Sequence, residues 1–269
     1  MRSLIKYLIF IIFSIGMLGA CSTNQAGRSQ LTIKSDAALA QEGARMFAGI
    51  RANMPMVQDR ATIDYVACIA DAIVGVLEGK DAAMYWELAV IDQPVINAFV
   101  LPGGKMAVYV GLLPVAVNQH QVAAVLGHEV AHVTLNHTNE RASQQAVAGV
   151  GVDIAAVILG GGYANQTNAA QQALGAGATL GILNPFSRGQ ESEADIIGLH
   201  YMAKAGFDPR ESVDLWQNMN AKNETAIPEY MSTHPSGDTR IEQLVAELPT
   251  ALAYYNEAKA QGKEPNCSM

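Results

Sequence analysis

The chain has 269 residues, half of them hydrophobic and only 6% aromatic, with 24 glycines and 11 methionines. That is enough apolar material for one domain or at most two, and small, adaptable side chains suit close-packed helices better than a β-sandwich. The formal net charge of −8 shows no basic footprint for nucleic acid; it speaks for solubility and names no partner.

Residues 1–20 read as a leader outside the fold. Arg2 and Lys6 precede an apolar run from Tyr7 to Leu18, which as a helix is too short for a bilayer core of roughly 30 Å. The core of a signal peptide fits better. Leu18-Gly19-Ala20-Cys21 looks like a lipoprotein signal box, with Cys21 lipidated and becoming the mature N-terminus, and residues 22–35 read as a flexible tether.

Helices are expected over 36–52 and 60–78, the second with Ile63, Val66, Ala67, Ala70, Ile73, Val74 and Leu77 on one stripe. Cys68 lies on that stripe; a disulfide to Cys267 and a buried free thiol both remain open. Trp86–Asp92 is rich in strand formers, and Val95–Leu101 and Lys105–Val110 read as two strands around the turn Pro102-Gly103-Gly104. One long helix is expected from Asn118 to Arg141, with Val122, Val125, Leu126, Val130 and Val133 toward the core.

Residues 142–187 are rich in Ala, Gly, Gln and Asn. Their apolar stretch Val147–Leu159 is too short for a span and contains Asp153, so a helix–loop–helix excursion fits. Helices over 188–205, 209–221 and 238–247 complete the domain. Gly206-Phe207-Asp208-Pro209 stops the first, and residues 256–269 read as a loose tail.

The chemistry lies in His128-Glu129-Val130-Ala131-His132. Residues four apart on a helix share a face, so His128 and His132 present two imidazoles to one metal, and neutral imidazole suits zinc. Glu129 is placed to serve a metal-activated water as general base and to return the proton to the leaving amine. The motif also occurs by chance in unrelated proteins, and it supplies only two ligands.

A third ligand six residues after His132 would be a histidine, but that position is Thr138. His137 lies five residues on, about 140° around a continuing helix, and reads as a surface histidine or as one in a layer behind the ligands. Glu191-Ser192-Glu193-Ala194-Asp195 offers an alternative. Glu191 and Asp195 share a face, so Glu191 could bind zinc while Asp195 accepts the free N–H of a ligating histidine. The competing reading is an acidic helix start favoured by the macrodipole.

Together with Asn97-Ala98-Phe99-Val100-Leu101-Pro102-Gly103-Gly104, Gly206-Phe207-Asp208-Pro209 and Ser232-Thr233-His234-Pro235, these residues resemble the HtpX, LoiP and BepA type of zinc metallopeptidase. That family also holds the CAAX prenyl proteases and the Oma-type mitochondrial peptidase. The resemblance covers about residues 36–255. It implies an α+β, mostly helical, zincin-like metallopeptidase domain with a small β-sheet beside the motif helix. It also implies one zinc ion held by His128, His132 and Glu191, Glu129 as base, and Asp195 orienting a ligand.

His234 would then stabilise the oxyanion or serve as a fourth, inhibitory ligand, against the plainer reading of a capping or loop histidine. Arg240 matches without a settled role, a structural ion pair being one. Asn97, Ala98, Phe99 and Val100 would form the cleft edge where an extended substrate adds as a strand. The membrane helices of HtpX and the helical repeats of BepA-type proteins are not seen, so LoiP-like lipoproteins are the nearer likeness. The implied protein is an endopeptidase held to the membrane through Cys21. It would face the periplasm, at the outer membrane of a bacterial envelope, with envelope assembly machinery as a possible partner. It would cleave unfolded or misassembled envelope proteins. The rival is a chaperone-like or binding lipoprotein whose zinc site is kept closed by His234.

Overall fold

The computed structural model describes residues 21–147, 186–223, 229–234 and 239–269. The leader, most of the Ala/Gly-rich segment and Pro235 lie outside them. The architecture is mostly helical with two small sheets.

β1 (Cys21–Thr23) and β2 (Ser29–Leu31) form an antiparallel hairpin. α1 (Asp36–Asn53) is capped by the Ser35 side chain, and α2 (Arg60–Val74) by Asp59. α2 is shorter than its hydrophobic stripe, because Gly75 caps it. After the single turn α3 (Gly79–Ala82) come β3 (Glu87–Ile91), β4 (Ala98–Leu101) and β5 (Lys105–Tyr109). Their order is β3-β5-β4, with β4 and β5 antiparallel around Gly103 and Gly104, both at positive φ. β4 is thus an edge strand of this sheet, and it is the strand that faces the motif helix.

α4 (Gln119–Thr134) begins at Asn118, whose side chain accepts from the amides of His120 and Gln121. Valines and alanines bury it on nearly every side, so polar groups on its middle turns must find partners inside the protein. The expected single helix over 118–141 is in fact two. Asn136 takes φ +56, a left-handed value that asparagine tolerates, and α5 (His137–Val147) departs in a new direction.

α6 (Arg188–Lys204) starts with a capping box of Ser187 and Gln190. It packs backbone to backbone on α4: a Cβ on Gly198 would lie 2.6 Å from the His128 amide nitrogen, and one on Gly127 2.7 Å from the Gly198 carbonyl oxygen. Only glycine permits that approach. α7 (Glu211–Asn223) and the short α8 (Glu229–Thr233) follow.

α9 (Arg240–Ala260) runs thirteen residues beyond the helix expected to end at 247. Pro249 costs it one backbone hydrogen bond, yet Ala251 and Ala258 are buried beyond that proline and Tyr254 and Tyr255 pack on the core. Packing outweighs the local break.

Two expected loose ends are ordered. Residues 256–269 are not a loose tail: Cys267 is disulfide-bonded to Cys68, its amide donates to Gln119 Oε1 at 2.9 Å, and Gly206 at φ +90 lies against the Lys263 carbonyl. The Cys68 alternative thus resolves to a disulfide. Residues 21–35 are not simply a tether either. The β1–β2 hairpin is fastened by Asn24 and Arg28 to Glu140 and Glu193. Polar composition suggested solvent, but here the polar groups are consumed by a charged network.

Candidate metal centre

The α4–α6 approach fixes the site. With Gly127 and Gly198 in contact, Glu191 and Asp195, two turns and one turn earlier on α6, come to lie beside His128 and His132 of α4. Ligand-capable atoms of His128, His132, Glu191 and His234 fall within 4.8 Å of one another, all four side chains buried.

The Nε2 atoms of His128 and His132 are 3.0 Å apart. Each ring has its other nitrogen engaged: His128 Nδ1 with Asp195 Oδ1 at 2.8 Å, and His132 Nδ1 with His137 Nδ1 at 2.9 Å. An imidazole that donates from Nδ1 keeps a lone pair at Nε2, so two lone pairs face each other beside Glu191, whose oxygens lie 3.4 and 3.5 Å from them. Such a cluster calls for a cation. Burial works against positive charge at His128, yet hydrogen bonds to Asp195 and Glu191 outweigh it and favour a cation there, a place that either a proton or a metal ion on Nε2 can take. Burial also raises Glu191, but His234, His128 and His132 hold it well below the carboxylate range. The two nitrogens and the carboxylate are the donor set that zinc prefers, so the residues fit that metal.

Glu129 is buried beside the cluster, and its Oε1 has no hydrogen-bond partner among the described residues. His234 Nε2 lies 3.4 Å from that oxygen. Burial raises its pKa. His234 lies further in than a loop or capping histidine would: Nδ1 is 3.2 Å from His128 Nε2 and 3.1 Å from Glu191 Oε1.

Arg240 pairs with both carboxylates of α6, Nε to Asp195 and Nη2 to Glu191, each at 2.5 Å, while its guanidinium stacks 3.9 Å over Trp216. Asn97, Ala98, Phe99 and Val100 line a cleft of about 20 Å³ with Glu129, His132, Thr138, Phe186, Thr233 and His234. That is room for about one water.

Three features escaped the sequence. Tyr230, one turn before His234, stacks on its ring with centroids 4.7 Å apart; its buried hydroxyl has no partner among the described residues, and burial and the charge of Glu129 push its pKa well above 10. The i, i+4 spacing to His234 was the available signal. Phe186 stacks on His132 at 3.9 Å. His137 does not continue α4 at all. It turns back toward His132 and bonds Glu193 Oε2 at 3.0 Å, so of its two readings the layer behind the cluster holds, while no local pattern foretold these partners.

A family model described as peptidase family M48 matches residues 62–248. The mitochondrial metalloendopeptidase OMA1 of Schizosaccharomyces pombe is 38% identical over 189 residues, which cover 70% of this chain and 53% of that protein. The human OMA1 metalloendopeptidase is 37% identical over 173 residues, covering 62% of this chain and 33% of its own. The Beta-barrel assembly-enhancing protease of Yersinia pestis is 29% identical over 198 residues, covering 71% of this chain and 40% of its own. The chain spans about half the length of these relatives or less. The family match takes in the motif helix, α6 and His234, and covers more than half of the sequence: the chain belongs to peptidase family M48.

Proposed function

We propose that the chain is a zinc-dependent endopeptidase acting on unfolded or misassembled polypeptides in a bacterial envelope, held to the membrane through a lipid on Cys21. One observation carries the catalytic part: two imidazole nitrogens 3.0 Å apart, flanked by Glu191 and by the buried carboxylate of Glu129. His128, His132 and Glu191 hold the metal. The chemistry a zinc ion supplies there is Lewis acidity, toward the scissile carbonyl and the attacking water.

The protein's own groups do the rest. Glu129 takes the proton from water as its oxygen attacks the carbonyl, and returns it to the leaving amine. Asp195 holds His128 in the tautomer that frees Nε2. Arg240 bonds Asp195 and Glu191 together and holds them in register. The β4 edge beside Glu129 offers backbone groups to an extended substrate.

The envelope assignment rests on the Leu-Gly-Ala-Cys box before Cys21 and on the likeness to the Yersinia pestis protein. Among the described residues no helix is long and apolar enough to cross a membrane.

The position of His234 favours a second state of the same site. With Nδ1 among the ligand atoms and only a small cleft beside it, His234 stands in the way of substrate, and in this reading it swings aside for substrate to enter. A chaperone-like lipoprotein with a permanently closed site is the rival.

Cleavage of casein by the full chain, with zinc or with chelator, separates the two. Catalysis predicts chelator-sensitive cleavage that falls about 10²–10⁴-fold in Glu129→Gln while zinc stays bound. A zinc-loaded wild type inert to unfolded substrates, with His234→Ala equally inert, supports the rival.

A further inference from the structure

We propose that His137, Glu193 and Arg28 form a hydrogen-bonded brace that holds His132 in its ligating orientation, making the N-terminal hairpin a working part of the metal centre. The inference rests on His132 being a metal ligand.

The chain of contacts is continuous. Arg28 Nε lies 2.5 Å from Glu193 Oε1, and Asn24 Nδ2 donates to Glu193 Oε2 at 2.8 Å. The same Glu193 oxygen accepts from His137 Nε2 at 3.0 Å, and His137 Nδ1 meets His132 Nδ1 at 2.9 Å. A carboxylate only accepts, so His137 donates from Nε2. A neutral imidazole donating there has a lone pair at Nδ1, and it accepts the Nδ1 proton of His132. The lone pair of His132 is thereby left at Nε2, on the side of His128 and Glu191. Each link fixes the tautomer of the next, ending at the atom that must bind metal.

The fold is arranged for this contact. On an uninterrupted helix His137 would point about 140° away from His132. The left-handed Asn136 turns the chain so that the two rings meet with centroids 5.0 Å apart. Arg28 also bonds both oxygens of Glu140 on α5, at 2.6 and 2.7 Å, and Glu140 accepts from Gln190 at the start of α6. One guanidinium thus fastens α5 to α6 on either side of His137. Arg28–Glu140 alone would suffice to hold those helices together. The aim of His137 Nδ1 at His132 Nδ1 is what a purely architectural role leaves unexplained.

The test uses the full chain loaded with zinc or cobalt. The variants are His137→Leu, which removes both bonds; His137→Asn, which keeps an acceptor near the Nδ1 position; Glu193→Gln; and Arg28→Met. Zinc affinity is read by competition with a chromophoric chelator, and ligand geometry from the visible absorption of bound cobalt. His137→Leu and Glu193→Gln should weaken zinc about 10–100-fold and alter the cobalt spectrum. His137→Asn should restore most of both, and Arg28→Met should move them in the same direction by less.

A folded His137→Leu with wild-type zinc affinity and cobalt spectrum overturns the proposal. So does a pair of His137 variants that lose melting temperature equally without touching either readout. Should His137→Leu fail to fold, Glu193→Gln, whose side chain is partly exposed, decides by the same two readouts. A wild type that takes up no zinc contradicts the metal reading itself, whereas failure of the brace alone leaves wild-type binding intact.

Discussion

His128 and His132 stand one turn apart on α4 in one cluster of ligand-capable atoms, yet they are braced from different parts of the molecule. Behind His128 is a direct carboxylate, Asp195, itself held by Arg240 from α9, with both side chains buried. Behind His132 stands another imidazole, His137. Glu193 and Arg28 stand behind that, and Arg28 keeps about a third of its surface in water. The first arrangement is short, dry and made of C-terminal helices. The second is longer, partly wet and ends in the N-terminal hairpin. The difference says where the site is rigid and where it can be adjusted: an ion pair buried on both sides is costlier to break than one whose arginine reaches water.

Arg240→Met should break the dry side most severely. It leaves Asp195 and Glu191 as uncompensated buried carboxylates and should cost about 3–5 kcal/mol in urea denaturation, along with the metal. Arg28→Met, by contrast, should cost less, about 1–3 kcal/mol, because water reaches Arg28 although the Glu140 it leaves behind is buried. Equal losses would erase the asymmetry.

Replacing Cys68 and Cys267 by serine removes a crosslink that shares no residue with either brace. It should lower stability by about 2–5 kcal/mol with zinc affinity unchanged, showing that global stability and site geometry are separable. A fall in affinity would mean that the C-terminal tail supports the centre as well.

Gly198→Ala should push α6 off α4, costing about 1–3 kcal/mol and displacing Glu191 and Asp195 together. Zinc stoichiometry should drop although every ligand is present.

The smallest effect is in the acid limb of stability. Burial opposes ionisation of Glu193, but His137 and Arg28 outweigh it and hold the carboxyl down to about 2, below its ordinary value near 4.5. A depressed folded pKa gives stability that is full above the unfolded pKa and is lost as pH falls toward 2. Glu193→Gln should therefore flatten the loss of stability between about pH 4.5 and 2. An unchanged acid profile would place the charge of Glu193 outside the energetics of folding.

How much of this was legible beforehand follows the range of each interaction. The spacing of His128 and His132, and of Glu191 and Asp195, is a helical repeat, so sequence alone puts each pair on one face. The strand-turn-strand of residues 95–110 was readable for the same reason, its turn needing glycine at positive φ. The break at Asn136 was not. Histidines and alanines continue the helical pattern through it, and only the left-handed tolerance of one asparagine marks the place. Residues 22–35 looked like solvent-exposed chain because their polar side chains find partners more than a hundred residues away, a distance no periodicity reports. Cys68 and Cys267 are 199 residues apart, so their pairing had to wait for the fold. The role of Arg240 was open in sequence because its two carboxylate partners lie on another helix.

The most direct test of the whole account is an anomalous-scattering map, at the zinc edge, of crystals grown from the zinc-loaded chain. The account predicts one strong peak at ligand distance, about 2.1 Å, from His128 Nε2, His132 Nε2 and a Glu191 oxygen. His137 should remain bonded to His132 Nδ1 and stand outside the coordination sphere. A peak ligated by His137, or no peak among His128, His132 and Glu191 in fully loaded protein, would contradict it.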